Sequence, residues 1–222
     1  MIVFDLDDTL YLERDFAFSG YRYLGALVQC QHGIAGFEEA CRALFVQGER
    51  RRILDLACER LGWAKGAALV PELIAAYRDH PPQITLCPDA ADWLARHGDD
   101  RPGLITDGPA QTQANKLGAL GLQGRIGPTC LTGTLGQGLG KPHPRPFEWM
   151  EDASGRPAAD LVYVADNPAK DFVTPRARGW LTVQITRSGG VHDPAPPDAA
   201  HAAQLHITSL DQLDEALETA GA

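Results

Sequence analysis

No stretch of this 222-residue sequence approaches the ~18 consecutive apolar residues that a membrane-spanning helix requires. A secretory leader is not expected either: Asp5, Asp7 and Asp8 interrupt the first apolar segment almost at once, before a hydrophobic signal region can form. Cysteine is sparse and unpatterned. Cys30, Cys41, Cys58, Cys87 and Cys130 are scattered, odd in number and without a CxxC spacing, which argues against a thiolate zinc site or a dithiol redox pair and for reduced thiols in a cytoplasmic protein. Positive charge is in deficit. Twenty Lys and Arg face 29 Asp and Glu, a formal charge of −9, so the mean field repels nucleic acid and anionic membrane surfaces. Internal repeats and low-complexity tracts are missing as well. The composition itself, 44% hydrophobic and 22% charged, is that of a chain able to bury a real core. Oligomeric state is not legible in it.

The apolar content comes in short, continuous runs. Met1 to Asp5, Gly103 to Thr106, Leu161 to Ala165, Leu181 to Ile185 and Leu205 to Ile207 read as strands covered on both faces. Helical spacing lies between most of them, at 89–97, 109–120, 144–153 and 168–178, with Pro144 suited to a first turn. Ser209 followed by Gln212 fits a capping box that opens a last helix over 210–219. Strands alternating with helices predict an α/β core, a Rossmann-like, doubly wound parallel sheet. This core covers roughly 1–13 and 82–222. Between its parts, apolar stripes at Tyr23/Leu24/Leu27/Val28, Phe37/Ala40/Cys41/Leu44/Phe45, Ile53/Ala57/Leu61 and Leu69/Leu73/Ala76/Tyr77 predict an all-helical insert of about four helices over 14–81. The segment Ser188 to Ala200, rich in Gly and Pro, reads as a surface loop.

The polar residues of interest stand at the ends of the predicted strands, where ligands bind in open α/β sheets. Asp5 and Asp7 follow the first strand. Two carboxylates this close raise one another's pKa unless a cation neutralises them, and a hard divalent ion with oxygen ligands would do so. An acidic loop or a helix cap accounts for an isolated DxD equally well. Asp166 ends another strand, with Asp171 about one turn into the following helix; Asp166 could complete a metal shell or serve as an N-cap. Thr106, with the backbone N–H groups of Asp107 and Gly108 before a helix N-terminus, suits phosphate oxygens. Lys141 sits in the proline-bounded segment Gly140 to Pro144, where a point charge can meet a transferring phosphoryl group.

In this order, Asp5-Leu6-Asp7-Asp8-Thr9, Thr106-Asp107-Gly108, Lys141-Pro142 and Asp166 to Asp171 resemble the four motifs of the haloacid dehalogenase superfamily, and the helical insert falls where that superfamily carries its first type of cap. Ala165 departs from the glycine that many relatives have before the acidic motif. The resemblance implies a phosphatase in which Asp5 is the nucleophile and forms an aspartyl-phosphate. Asp7 is then the general acid and base. It implies a magnesium ion held by Asp5, the Asp7 backbone carbonyl and Asp166, with Asp171 supporting that shell, and phosphoryl oxygens held by Thr106, Lys141 and the N–H groups of Asp107 and Gly108. Asp7 argues against haloacid dehalogenation, since true dehalogenases of this kind lack that second Asp and use no magnesium. A phosphoglucomutase-like transferase and a catalytically silent scaffold remain alternatives. The expected partner is a small phosphorylated metabolite, a sugar phosphate or nucleotide.

Overall fold

The computed structural model describes residues 1–97 and 100–221; residues 98, 99 and 222, which fall within the expected core, lie outside the described residues. The chain divides into two compact units, Met1–Arg14 with Thr85–Ala222, and Asp15–Ile84.

The larger unit is built on six strands, β1 (Ile2–Phe4), β2 (Gly103–Thr106), β3 (Thr129–Leu131), β4 (Val162–Ala165), β5 (Leu181–Ile185) and β6 (Leu205–Ile207). They form one sheet in the order β3-β2-β1-β4-β5-β6, every pair parallel. A parallel sheet is covered on both faces and so takes apolar residues at successive positions. Accordingly Val3 and Phe4 of β1, Leu104 and Ile105 of β2, and Tyr163, Val164 and Ala165 of β4 are all fully buried. Five of the strands follow the predicted runs. The sixth, β3, was not predicted: Thr-Cys-Leu is too short to show a period, and pairing with β2, Leu104 beside Thr129 and Thr106 beside Leu131, is what makes it an edge strand. Register sets Phe4 between Leu104 and Val164, so the strand order reverses at β1 and the ends of β1 and β4 flank the crevice.

The helices that cover this sheet are numbered in chain order after the four of the smaller unit, α1 (Glu13–His32), α2 (Phe37–Val46), α3 (Ile53–Arg60) and α4 (Gly66–Asp79). They are α5 (Pro88–Arg96), α6 (Ala110–Ala119), α7 (Arg145–Ser154), α8 (Val173–Arg178) and α9 (Leu213–Ala220). The aromatic core stacks edge to face, with Phe147 against Tyr163 at 5.4 Å and against Trp180 at 5.6 Å between centroids. The Ser209/Gln212 capping box is present, opening a short 3-10 turn over Leu210–Gln212 that leads into α9.

The predicted core helices shift at their ends, by one residue in α5, α6 and α7 and by more in α8 and α9. α7 begins at Arg145 with Pro144 as its cap, one residue later than expected. The helix expected over 168–178 forms only from Val173, because the Asn167 carbonyl accepts from both Lys170 N and Asp171 N while its side chain takes Ala169 N at 3.1 Å. That turn satisfies the backbone locally and places Asp171 ahead of the helix. In the smaller unit, α1 buries Ala17, Tyr21, Leu24 and Val28, a stripe that leaves Tyr23 41% exposed, contrary to the expected pattern. His80 closes this unit: its Nδ1 faces Tyr77 O at 2.6 Å and its Nε2 Ser19 Oγ at 3.1 Å, while Gln83 N donates to the same Oγ.

One ionic tie of the core is purely architectural. Arg187, just after β5, places Nη1 at 3.0 Å from both oxygens of Asp89 and donates through Nε to Thr9 O at 2.7 Å. Asp89 also accepts from Ser209 Oγ and Leu210 N. With every charge matched, α5, the start of the 3-10 turn, the β5–β6 loop and the turn after β1 are locked together.

Candidate active site

Asp5 leaves β1 with its N–H on Val164 O at 2.9 Å, which fixes the backbone at the crevice, and its side chain is buried. Lys141 Nζ lies 2.9 Å from Asp5 Oδ1, 2.8 Å from Asp171 Oδ1 and 2.9 Å from the Tyr163 hydroxyl. The Tyr163 hydroxyl accepts a hydrogen bond from this ammonium, whereas the two carboxylate contacts are ion pairs, Asp171 Oδ1 accepting no hydrogen bond among the described residues; the lysine side chain has no exposed area. Burial alone would lower the Lys141 pKa, but the carboxylates of Asp171 and Asp5 outweigh it and hold the group well above its ordinary value.

Asp166, at the end of β4, joins them. One carboxylate oxygen from each of Asp5, Asp166 and Asp171 lies within 4.8 Å of the others. Asp171, expected one layer back, thus presents an oxygen to the same cluster, while its second oxygen accepts from Asn167 N at 3.1 Å. Burial, then the neighbouring charges of Asp5, Asp171 and Asp8, push Asp166 up to about 9. Burial likewise raises Asp5 to about 6 despite Lys141. Negative charge is therefore in surplus here, and a buried, all-oxygen donor set with surplus charge fits a hard divalent cation.

Asp7 points elsewhere and contributes no side-chain atom to that cluster. It accepts from the Tyr11 hydroxyl, from Lys116 Nζ at 2.7 Å and from Gln113 Nε2 at 3.0 Å. Burial would raise its pKa, yet the Lys116 charge and these hydrogen bonds bring it below the ordinary value. Gln113 also donates to the buried Thr106 hydroxyl, so Asp7 and Thr106 are joined through one amide. Sequence reasoning missed Gln113 and Lys116. The available signal was a helix whose inward face is polar: the buried residues of α6 are Thr112, Gln113 and Lys116, where an apolar stripe would be the rule.

Thr106, Asp107 and Gly108 form the turn between β2 and α6. Gly108 has φ +134°, a backbone that side chains rarely adopt, and a Cβ there would press on Gln113 at 3.3 Å. The Asp107 side chain faces the Lys141 segment: Oδ1 accepts from Thr132 Oγ1 at 2.8 Å and Lys141 N at 3.1 Å, and Oδ2 from Lys170 Nζ at 3.1 Å. Gly140 is required by this close approach, since a Cβ would sit 2.8 Å from Asp107 Oδ1. The Lys141–Pro142 peptide is cis.

Asp8 braces the first motif. Its φ of +50° lies in the left-handed region that Asp tolerates better than most residues, and from there it accepts Glu13 N at 2.8 Å and Val191 N at 2.7 Å. The β5–β6 loop is thereby pinned beside the turn that carries Asp5.

The chain matches the haloacid dehalogenase-like hydrolase family over residues 1–176. It is 32% identical to the phosphoserine phosphatase of Thermus thermophilus over 152 residues, which are 67% of this chain and only 59% of that relative's length. It is 30% identical to the glyceraldehyde 3-phosphate phosphatase of Methanocaldococcus jannaschii over 84% of both chains. Among solved structures, the 2-haloacid dehalogenase of Pseudomonas syringae superposes with a TM-score of 0.64 at 23% identity, covering 98% of this chain and 97% of that one. The magnesium-bound hydrolase YfnB of Bacillus subtilis also gives 0.64, at 18% identity over 96% of each. These two likenesses speak to the fold.

Proposed function

The chain belongs to the haloacid dehalogenase-like hydrolase family, and on that premise we propose that it is a magnesium-dependent phosphatase of small phosphomonoesters. One observation carries the reading: three buried carboxylates, Asp5, Asp166 and Asp171, converge beside a single lysine that pairs with Asp5 and Asp171, a surplus of negative charge that a divalent cation would neutralise. Asp7, a second carboxylate with its own separate anchor, supplies the acid that release of an alkoxide requires. The two phosphatases among the relatives support the same chemistry, and they act on three-carbon phosphates by name. That widens the proposed substrate class from sugar phosphates and nucleotides to small amino-acid and aldehyde phosphates.

In the proposed cycle Asp7, held below its ordinary pKa in this conformation, first takes a proton from solvent as the substrate binds; the free oxygen of Asp5 then attacks phosphorus, the ester P–O bond breaks, and Asp7 passes that proton to the leaving oxygen. Water then attacks the aspartyl-phosphate, Asp7 takes its proton, and Asp5 is regenerated with release of phosphate. Lys141 orients the Asp5 carboxylate and offsets its charge through the 2.9 Å contact. Thr106 retains a hydroxyl hydrogen to donate to the phosphoryl group, because toward Gln113 it acts as acceptor; the N–H groups of Asp107 and Gly108 complete that cradle. Asp5, Asp166 and the Asp7 carbonyl would hold magnesium, with Asp171 alongside, and when bound it would neutralise the carboxylates and polarise a phosphoryl oxygen. The helical unit, inserted after the first motif, serves as the family's cap. A phosphate-release panel of sugar phosphates, nucleotides, phosphoserine and triose phosphates, with and without magnesium, tests the reading. Release that depends on magnesium is expected; isomerised hexose phosphate without free phosphate would favour a mutase, and silence across the panel a scaffold.

A further inference from the structure

We propose that Gln113 is a positioning residue of this site, whose single amide nitrogen fixes both the donor direction of the Thr106 hydroxyl and the place of the Asp7 carboxylate. The assignment rests on the phosphatase reading above and deepens it, by naming the group that keeps the phosphate cradle and the proton donor in register. It follows from the polarity of two contacts. Gln113 Nε2 lies 3.0 Å from Asp7 Oδ2 and also within hydrogen-bond reach of Thr106 Oγ1. A carboxylate can only accept, so the end of the amide that faces Asp7 is the NH2 and not the oxygen. An amide nitrogen can only donate, so Thr106 accepts from it, and the hydroxyl hydrogen is turned away from Gln113.

The setting of the amide agrees. Thr106 ends β2 and Asp7 follows β1, two neighbouring strands, and one nitrogen of α6 spans their ends. A Cβ on Gly108 would lie 3.3 Å from Gln113 Cδ and Oε1, so the amide rests against the turn that carries the Asp107 and Gly108 N–H groups. Gln113 is buried, and a buried amide costs free energy unless it is hydrogen-bonded; here its NH2 meets two residues of the site. The two oxygens of Asp7 have different holders. Oδ1 accepts from Lys116 Nζ and the Tyr11 hydroxyl, Oδ2 from Gln113. A carboxyl held at both oxygens keeps one plane, whereas one released at Oδ2 can swing about the Oδ1 anchor.

The test uses the full chain with magnesium and compares two esters: p-nitrophenyl phosphate, whose phenolate leaves without a proton, and the alkyl phosphate most readily hydrolysed in the panel above, whose alkoxide needs one. Gln113→Met, similar in length and without a donor, is expected to lower kcat on the alkyl ester about tenfold or more, the worth of one charge-assisted hydrogen bond. On the aryl ester kcat should fall only a few-fold, while KM rises because the Thr106 hydroxyl is no longer aimed. Gln113→Glu is isosteric, but the oxygen that replaces Nε2 carries at most one hydrogen where the amide carries two, so it should do no better than Met. In a Thr106→Val background the Met substitution should add little to KM for the aryl ester, because the two changes remove one contact. Equal losses of kcat on both esters would overturn the link to Asp7, and additive effects with Thr106→Val the link to Thr106. Wild-type kinetics in the Met and Glu variants would overturn both, and so would loss of the folded circular dichroism spectrum in both, since the amide would then serve the scaffold. Failure of the wild type to release phosphate from any phosphomonoester is a separate result, and it would remove the phosphatase reading itself.

Discussion

Two carboxylate clusters of the core stand in contrast. Around Asp89, Arg187, Ser209 and the Leu210 N–H match the negative charge completely, and the carboxyl is held below its ordinary pKa once these contacts outweigh burial. Around Asp166, two further carboxylates crowd one lysine, and the carboxyl is driven up to about 9. Both clusters are ionic, yet only in the second is charge of one sign in surplus. The difference teaches that balance marks architecture, whereas a surplus of one sign, maintained at the cost of stability, marks a place where something else binds.

The strongest way to break this contrast is at the proposed nucleophile. Asp5→Asn is expected to lower phosphate release by about a thousandfold or more while leaving the circular dichroism spectrum and thermal midpoint intact; activity within a few-fold of wild type would remove Asp5 from its role.

A second prediction concerns sign. In the metal-free protein the folded state keeps a proton on Asp166 that the unfolded chain has released, so stability should fall as pH rises from the ordinary carboxylate range toward about 9, with a slope of at most about 1.4 kcal/mol per pH unit. Saturating magnesium should flatten that slope, and so should Asp166→Asn. Melting curves in chelator at several pH values decide it, and a slope of the opposite sign would refute the surplus-charge account.

The balanced cluster should behave in the reverse way. Asp89→Ala leaves the Arg187 guanidinium uncompensated, and with side chains only 7% and 12% exposed the loss should be about 3 kcal/mol, read by urea denaturation. Because its carboxyl titrates below the ordinary value when folded, the contribution of Asp89 is complete above the unfolded pKa and disappears as pH falls through the folded one. The smallest effect is expected in the helical unit, where Arg52 and Glu59 pair at 3.2 Å with both side chains more than half exposed. Arg52→Ala should cost under about 0.5 kcal/mol, and a larger loss in the same denaturation assay would show that exposure misjudges that pair.

Much of this was legible beforehand for a definite reason. Buried parallel strands must be apolar at consecutive positions, so five of six showed themselves as runs, and the capping box at Ser209 announced itself through two residues three apart. The expectation failed where local chemistry competes with periodicity: Asn167 and Pro168 form a turn that delays α8, and an apolar-looking Tyr23 faces solvent because Tyr21 takes the inward position. The partners of Asp7 were hidden, since nothing near Gln113 or Lys116 in the chain reveals which carboxylate lies opposite α6.

The sequence by itself determined which groups end the strands: Asp5, Thr106 and Asp166 stand where apolar runs stop, and strand ends are where a sheet of this class opens. Tertiary structure alone decided how those groups are shared out. It buried Lys141 among Asp5, Asp171 and Tyr163, turned Asp7 toward Lys116 and Gln113, brought Asp171 beside Asp5 and Asp166, and set Lys170 on Asp107. Strand ends follow from local hydrophobicity, which a chain carries along its length; hydrogen-bond allocation depends on which distant donors packing brings within 3 Å.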